Sequence, residues 1–126
     1  MSGNPSADPI AFLPASKLAP MIARRQISAV EVMRATLARA ERLQPILNCF
    51  ITICAEQALA AAQATDIAIA RGETLGPLAG VPFSVKDLVN TKGVRTTFGS
   101  FIHEHNVPAE DQVCIARLKE IGRAHV

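Results

Sequence analysis

Between a loop punctuated by Gly76, Pro77 and Gly80 and the cation Lys86 lies the apolar run Val81-Pro82-Phe83-Ser84-Val85. Five residues are too few for a stable helix, and an apolar stretch of that length suits a strand buried on both faces of a parallel or mixed sheet. Helical patterns precede and follow it, which makes the fold class α/β. A sheet of that kind gathers functional groups outside the carboxyl ends of its strands, where Lys86 stands. A lysine drawn partly out of water there loses affinity for its proton and can act as a base; otherwise its stem packs and its ammonium reaches solvent.

The remaining elements follow from periodicity and punctuation. Residues 1–14 carry Pro5, Pro9 and Pro14 among small polar residues and read as a loose arm. Ser16 caps a short helix to about Arg25. Ser28-Ala29-Val30-Glu31 has the form of a capping box, and Val30, Met33, Leu37 and Ala40 share one face of the helix that follows, stopped at Gln44 by Pro45. Asn48 to Cys54, "NCFITIC", is rich in β-branched and aromatic residues and reads as a strand. Ala55 to Ala70 reads as an alanine-rich helix closed near Gly72, and Asp111 to Ile121 as a last helix with Cys114, Leu118 and Ile121 on one face. Met21 and Met33 fall where helix cores would hold them.

Composition narrows the function. The chain has 126 residues, no Trp or Tyr and five Phe, so large core anchors are scarce and much of the apolar content is alanine. Small-residue helices suit packing against a larger body, and the chain reads as a piece of a bigger domain. The net charge is +2 with scattered basic residues, which argues against nucleic-acid binding. Cys49, Cys54 and Cys114 have no metal-type spacing and leave one thiol over in any pairing, so all three are expected as small core residues in a reducing cytoplasm. No stretch reaches the roughly 18 apolar residues of a membrane span. His103 and His105 in "FIHEHN" lack a third ligand, and neither a metal nor a cofactor is expected.

The stretch "GPLAGVPFSVKDLVNTKGVRTTFGS" resembles the N-terminal catalytic block of the amidase signature family. That family commonly carries a G-P-L-x-G-[IV]-P-x-x-[VIL]-K-D core followed by a glycine, threonines and a Gly-Ser. The matching residues are Gly76, Pro77, Leu78, Gly80, Val81, Pro82, Val85, Lys86, Asp87, Gly93, Thr96, Thr97, Gly99 and Ser100. "SAVEVMRATLARAERLQPILNCFITI" and "EQALAAAQATDIAIARGE" are similar to the elements that precede the block, and the resemblance covers residues 15–122.

What the resemblance implies is the N-terminal portion of the amidase signature fold, a mixed sheet flanked by helices, and hydrolysis of a small-molecule carboxamide by a Ser, Ser, Lys triad. The lysine accepts a proton through a bridging serine while a second serine attacks the carbonyl. By match Lys86 holds the base position, and positioned proton transfer of this kind is worth about 10² to 10⁴ in rate. Both serines lie downstream of the lysine in the family, the nucleophile in a Gly-Gly-Ser-Ser-Gly loop that these residues do not contain. Ser84 lies on the lysine's face of the strand but at a position the family does not use, and Ser100 belongs to the "TTFGS" segment. The 126-residue chain is therefore expected to be inactive. Asp87 is expected to serve as a loop-start residue that bonds nearby backbone N–H groups.

One component of the amidotransferase that amidates glutamyl-tRNA fits the same residues and would bring partner subunits; a hydrolase of this kind would be compatible with a homodimer. From another class, a small helical interaction module would leave Lys86 a surface charge. The ending "IGRAHV" back-translates, with one permitted codon choice, to the opening of a common short-read sequencing adapter. Residues 123–126 are expected to be a non-native tail, residues 15–122 the first part of a single domain, and the gene to continue.

Overall fold

The computed structural model describes residues 8–122 and 124–125. Of the expected arm, residues 1–7 lie outside the described residues; of the expected tail, Arg123 and Val126 do. Residues 8–14 depart from a loose arm: Asp8–Ala11 form a short helix, α1, and Ile10 and Leu13 pack against the core. Two apolar side chains bracketed by prolines are enough to dock the segment once a larger surface is present.

Helix α2 spans Ala15–Ala23, starting two residues earlier than expected and ending before Arg25. Pro14, not Ser16, is its N-cap, and its carbonyl accepts the first helical bonds from Lys17 and Leu18. Helix α3, Ala29–Leu47, begins with the expected capping box: Ser28 Oγ accepts the Glu31 N–H, and the Glu31 carboxylate accepts the Ser28 N–H. The Ser28 N–H and hydroxyl, both donating to the Glu31 carboxylate, hold that carboxyl below its usual 4.5, against a small opposing push from burial. Pro45 does not stop this helix. It sits in the last turn, where its missing N–H deprives only the carbonyl of Glu41, an exposed residue that water can serve. The turn-off comes at Asn48, left-handed at φ 46°.

Helix α4, Ala55–Ala70, lies against α3 through Ala58 and Ala62, both fully buried. Its side chains are small, so the two backbones approach closely, and the core is completed by Leu18, Ile22, Val32, Met33, Leu37 and Val81. None of the five phenylalanines belongs to it.

Two strand expectations need correction. The segment Asn48–Cys54 contains no strand. The Gln44 side-chain amide takes the place of a neighbouring strand, donating to the Phe50 carbonyl at 2.7 Å and accepting the Phe50 N–H at 3.0 Å. Of the run Val81–Val85, only Pro82–Phe83 forms a strand, β1, paired in parallel with β2, Ala124–His125. Val81 is buried, but Pro82, Phe83 and Val85 are half-buried and Ser84 is exposed. With a single partner strand among the described residues, the run is not buried on both faces.

The last helix, α5, spans Val113–Glu120, with Gln112 as N-cap. Ile115 is its buried residue; Cys114 is exposed and Leu118 half-buried, so the inward face is turned from the one expected. The loop before β1 docks on the end of α5, the Leu78 N–H donating to the Ile121 carbonyl and the Gly80 N–H to that of Gly122. A Cβ on Gly76 would lie 2.4 Å from the Ile121 carbonyl oxygen, so the glycine is what permits the approach.

Candidate functional site

Lys86 follows β1 and lines an open cleft of about 530 Å³. The segment 49–52 forms one wall, residues 84–87 the floor, and Val94, Arg95 and Thr96 the facing wall. Of the two readings open for Lys86, the described residues show the solvated one: its side chain is exposed, because among the described residues nothing roofs the cleft. Ser84 lines the same cleft, in keeping with its position on the lysine's face. Ser100 does not line it. Its hydroxyl accepts the Ile102 N–H at 3.3 Å and caps the short 3₁₀ turn Phe101–His103.

Asp87 holds the loop 96–99 in place. One carboxylate oxygen accepts the Thr97 N–H at 2.7 Å, the other accepts the Thr97 hydroxyl, and the Asp87 carbonyl accepts the Phe98 N–H at 3.0 Å. Burial pushes this carboxyl up, but the Thr97 hydroxyl and N–H, the Gly99 N–H and the Arg95 cation outweigh it, leaving the group below its usual 3.8. The loop-start role expected of Asp87 thus takes a longer reach, tying together positions ten residues apart.

Sequence reasoning missed Arg95 and Thr97 as builders of the site. The Arg95 guanidinium donates to the Glu104 carbonyl at 3.0 Å and the Ile51 carbonyl at 3.3 Å, joining the two walls of the cleft. Thr91, Thr96 and Thr97 are buried, and the threonine pair in "RTTFGS" was the available signal: polar residues placed inside need partners.

His103 packs edge-on to Phe98, and His105 pairs with Glu104 at 3.0 Å, both away from the cleft. No cluster of three metal-ligating side chains occurs among the described residues. Of the three cysteines expected in the core, only Cys54 is buried; Cys49 and Cys114 are exposed. Cys49 stands at the cleft wall and Cys114 on the outer face of α5, and among the described residues no element covers either. No described helix is long and apolar enough to cross a membrane.

Comparison with known proteins places this geometry. A family model described as Amidase matches residues 31–126. The glutamyl-tRNA(Gln) amidotransferase A subunit of Geobacter metallireducens is 48% identical over 99 residues, 79% of this chain and 20% of that protein. Its counterpart in Carboxydothermus hydrogenoformans is 42% identical over 88% of this chain and 23% of that protein. Among solved structures, a fatty acid amide hydrolase superposes with a TM-score of 0.90 at 31% identity, covering 98% of this chain and 22% of that one. The peptide amidase of Stenotrophomonas maltophilia superposes with a TM-score of 0.86 at 26% identity, covering 94% of this chain and 24% of that one. The chain thus spans about a fifth to a quarter of the length of the proteins it matches. With the family model matching residues 31–126 and the backbone superposing over 98% of this chain, the chain belongs to the amidase signature family.

Proposed function

We propose that residues 15–122 are the first part of an amidase domain that cleaves a carboxamide C–N bond to a carboxylate and ammonia or an amine, with Lys86 as its proton acceptor. The observation that carries this reading is the position of Lys86: it follows β1, faces an open cleft, and forms no ion pair among the described residues. An amine with no carboxylate on it is free to take a proton from a serine relay. The remainder of the domain would supply the two serines and the oxyanion donors, roof the cleft and draw the amine out of water. The substrate is a small-molecule amide, and a soluble cytoplasmic protein, alone or as a homodimer, suits that chemistry.

The test is to read and express the gene past codon 122 and assay ammonia release from simple carboxamides. Lys86→Ala should cut kcat by about 10² to 10⁴, and Lys86→Arg should not restore it, since a guanidinium does not give up its proton near neutral pH. Full activity in Lys86→Ala, or an open reading frame without the serine loop, defeats the reading. The 126-residue chain itself should release no ammonia.

A second reading is favoured by the identity of 48% to an amidotransferase component, against 31% to the fatty acid amide hydrolase. In that role the same lysine would serve to free ammonia from an amide donor for delivery to glutamyl-tRNA by partner subunits. Ammonia release that depends on co-expressed partners and on charged tRNA selects it; release by the lone polypeptide from many amides selects the hydrolase.

A further inference from the structure

Resting on Lys86 as the proton acceptor, we propose that Thr97 is a positioning residue: by occupying both oxygens of Asp87 it keeps that negative charge off the neighbouring lysine amine. Lys86 and Asp87 are adjacent in sequence and line one cleft, where an opposite charge would hold the proton on the amine and oppose base function. Yet no Lys86–Asp87 ion pair forms among the described residues. The carboxylate is turned to Thr97, whose N–H and hydroxyl bind separate oxygens. The loop is shaped to make this happen. Phe98 and Gly99 both take left-handed backbone conformations, at φ 54° and 69°, which brings the Gly99 N–H to within 3.2 Å of the Thr97 hydroxyl oxygen. That side chain is buried, so its hydroxyl, donating to Asp87 and accepting from Gly99, has no water to turn to. The other groups facing the cleft that carry or can take charge are Arg95, beside Asp87, and the Cys49 thiol on the opposite wall. Arg95 is committed to two backbone carbonyls and cannot take over the carboxylate without releasing a wall.

The measurement is the pH–rate profile of the longer enzyme on a simple carboxamide. Thr97→Val keeps the shape and removes the hydroxyl, freeing one Asp87 oxygen. Its ascending limb should move up by about half to one pH unit, roughly three- to tenfold slower turnover below the limb, with the high-pH plateau retained. Thr97→Ser should keep the limb in place, and Asp87→Asn added to Thr97→Val should bring it back. A lowered plateau with an unmoved limb overturns the proposal, leaving Thr97 a loop tether only. Should the valine fail to fold, Thr97→Ala is expected to give the same shift and is judged by the same criterion. Acylation of Lys86 by an amine-reactive ester, followed against pH by peptide mass spectrometry, needs no turnover; it should shift in parallel, and a coincident profile in wild type and variant overturns the proposal too. Activity surviving Lys86→Ala would instead remove the functional reading beneath it.

Discussion

Asp66, late in α4, accepts the backbone N–H of Ala29 at the start of α3 at 2.7 Å, and its second oxygen accepts that of Val30 at 3.1 Å. The first turn of α3 is thus capped twice, locally by Ser28 and Glu31 and from a distance by a carboxylate that favours the positive end of the helix. Arg25 makes the reciprocal bond, its guanidinium donating to the Ile69 carbonyl at 2.6 Å near the end of α4. These contacts fix α3 and α4 as an antiparallel pair behind the lysine loop.

Removing the distant cap should therefore cost more than its exposure suggests. Asp66→Ala is expected to destabilise the domain by about 1–2 kcal/mol and Ser28→Ala by about 1 kcal/mol, measured by urea unfolding of the protein that carries the rest of the domain. An Asp66→Ala variant as stable as wild type would show that the local box suffices.

Gly76→Ala places a methyl group against the backbone of Ile121, an atom that cannot swing aside. The loop ahead of β1 must shift, at a cost of about 1–3 kcal/mol, and Lys86 shifts with it. Thermal unfolding should register the first effect and, on the proposed function, lost amide turnover the second. Gly72→Ala, with open space at its Cβ but φ 76°, should cost only the backbone strain, about 1 kcal/mol.

Acid should loosen the fold through Glu31, Asp87 and Asp111. Burial pushes the Asp111 carboxyl up, but Lys119 and the Lys92 N–H, at 2.7 to 2.9 Å, outweigh it and leave the group below 3.8. All three carboxyls are depressed in the folded state, so what they contribute is present above the ordinary values of 3.8 to 4.5 and is lost as pH falls through the lower folded values. Denaturation midpoints should hold steady between about pH 5 and 7 and drop below pH about 4. Asp111→Asn should flatten that drop.

The thiols should separate by accessibility. Burial pushes the Cys54 thiol up, against a smaller pull from Lys119, so it is both covered and protonated. Iodoacetamide at neutral pH should alkylate Cys49 and Cys114 in the native protein and reach Cys54 only on unfolding, as peptide masses would show. Labelling of all three at one rate would mean that the start of α4 is open.

The sequence by itself determined whatever rests on contacts a few residues apart. The Ser28–Glu31 box starts α3 at the predicted residue, the alanine run makes α4, and the glycine-rich motif with its lysine marks both the loop and the family. Pro45 misled because proline's penalty depends on which carbonyl it orphans, and an exposed last turn tolerates it. What only the tertiary structure decided depends on partners far along the chain. Phe50 satisfies its backbone on the Gln44 amide rather than on a strand, α5 turns Ile115 inward and Cys114 out, and Asp87 reaches Thr97 instead of its neighbour. A strand needs an edge to pair with, and β1 finds its edge on Ala124–His125, far along the chain, which no run of five apolar residues encodes.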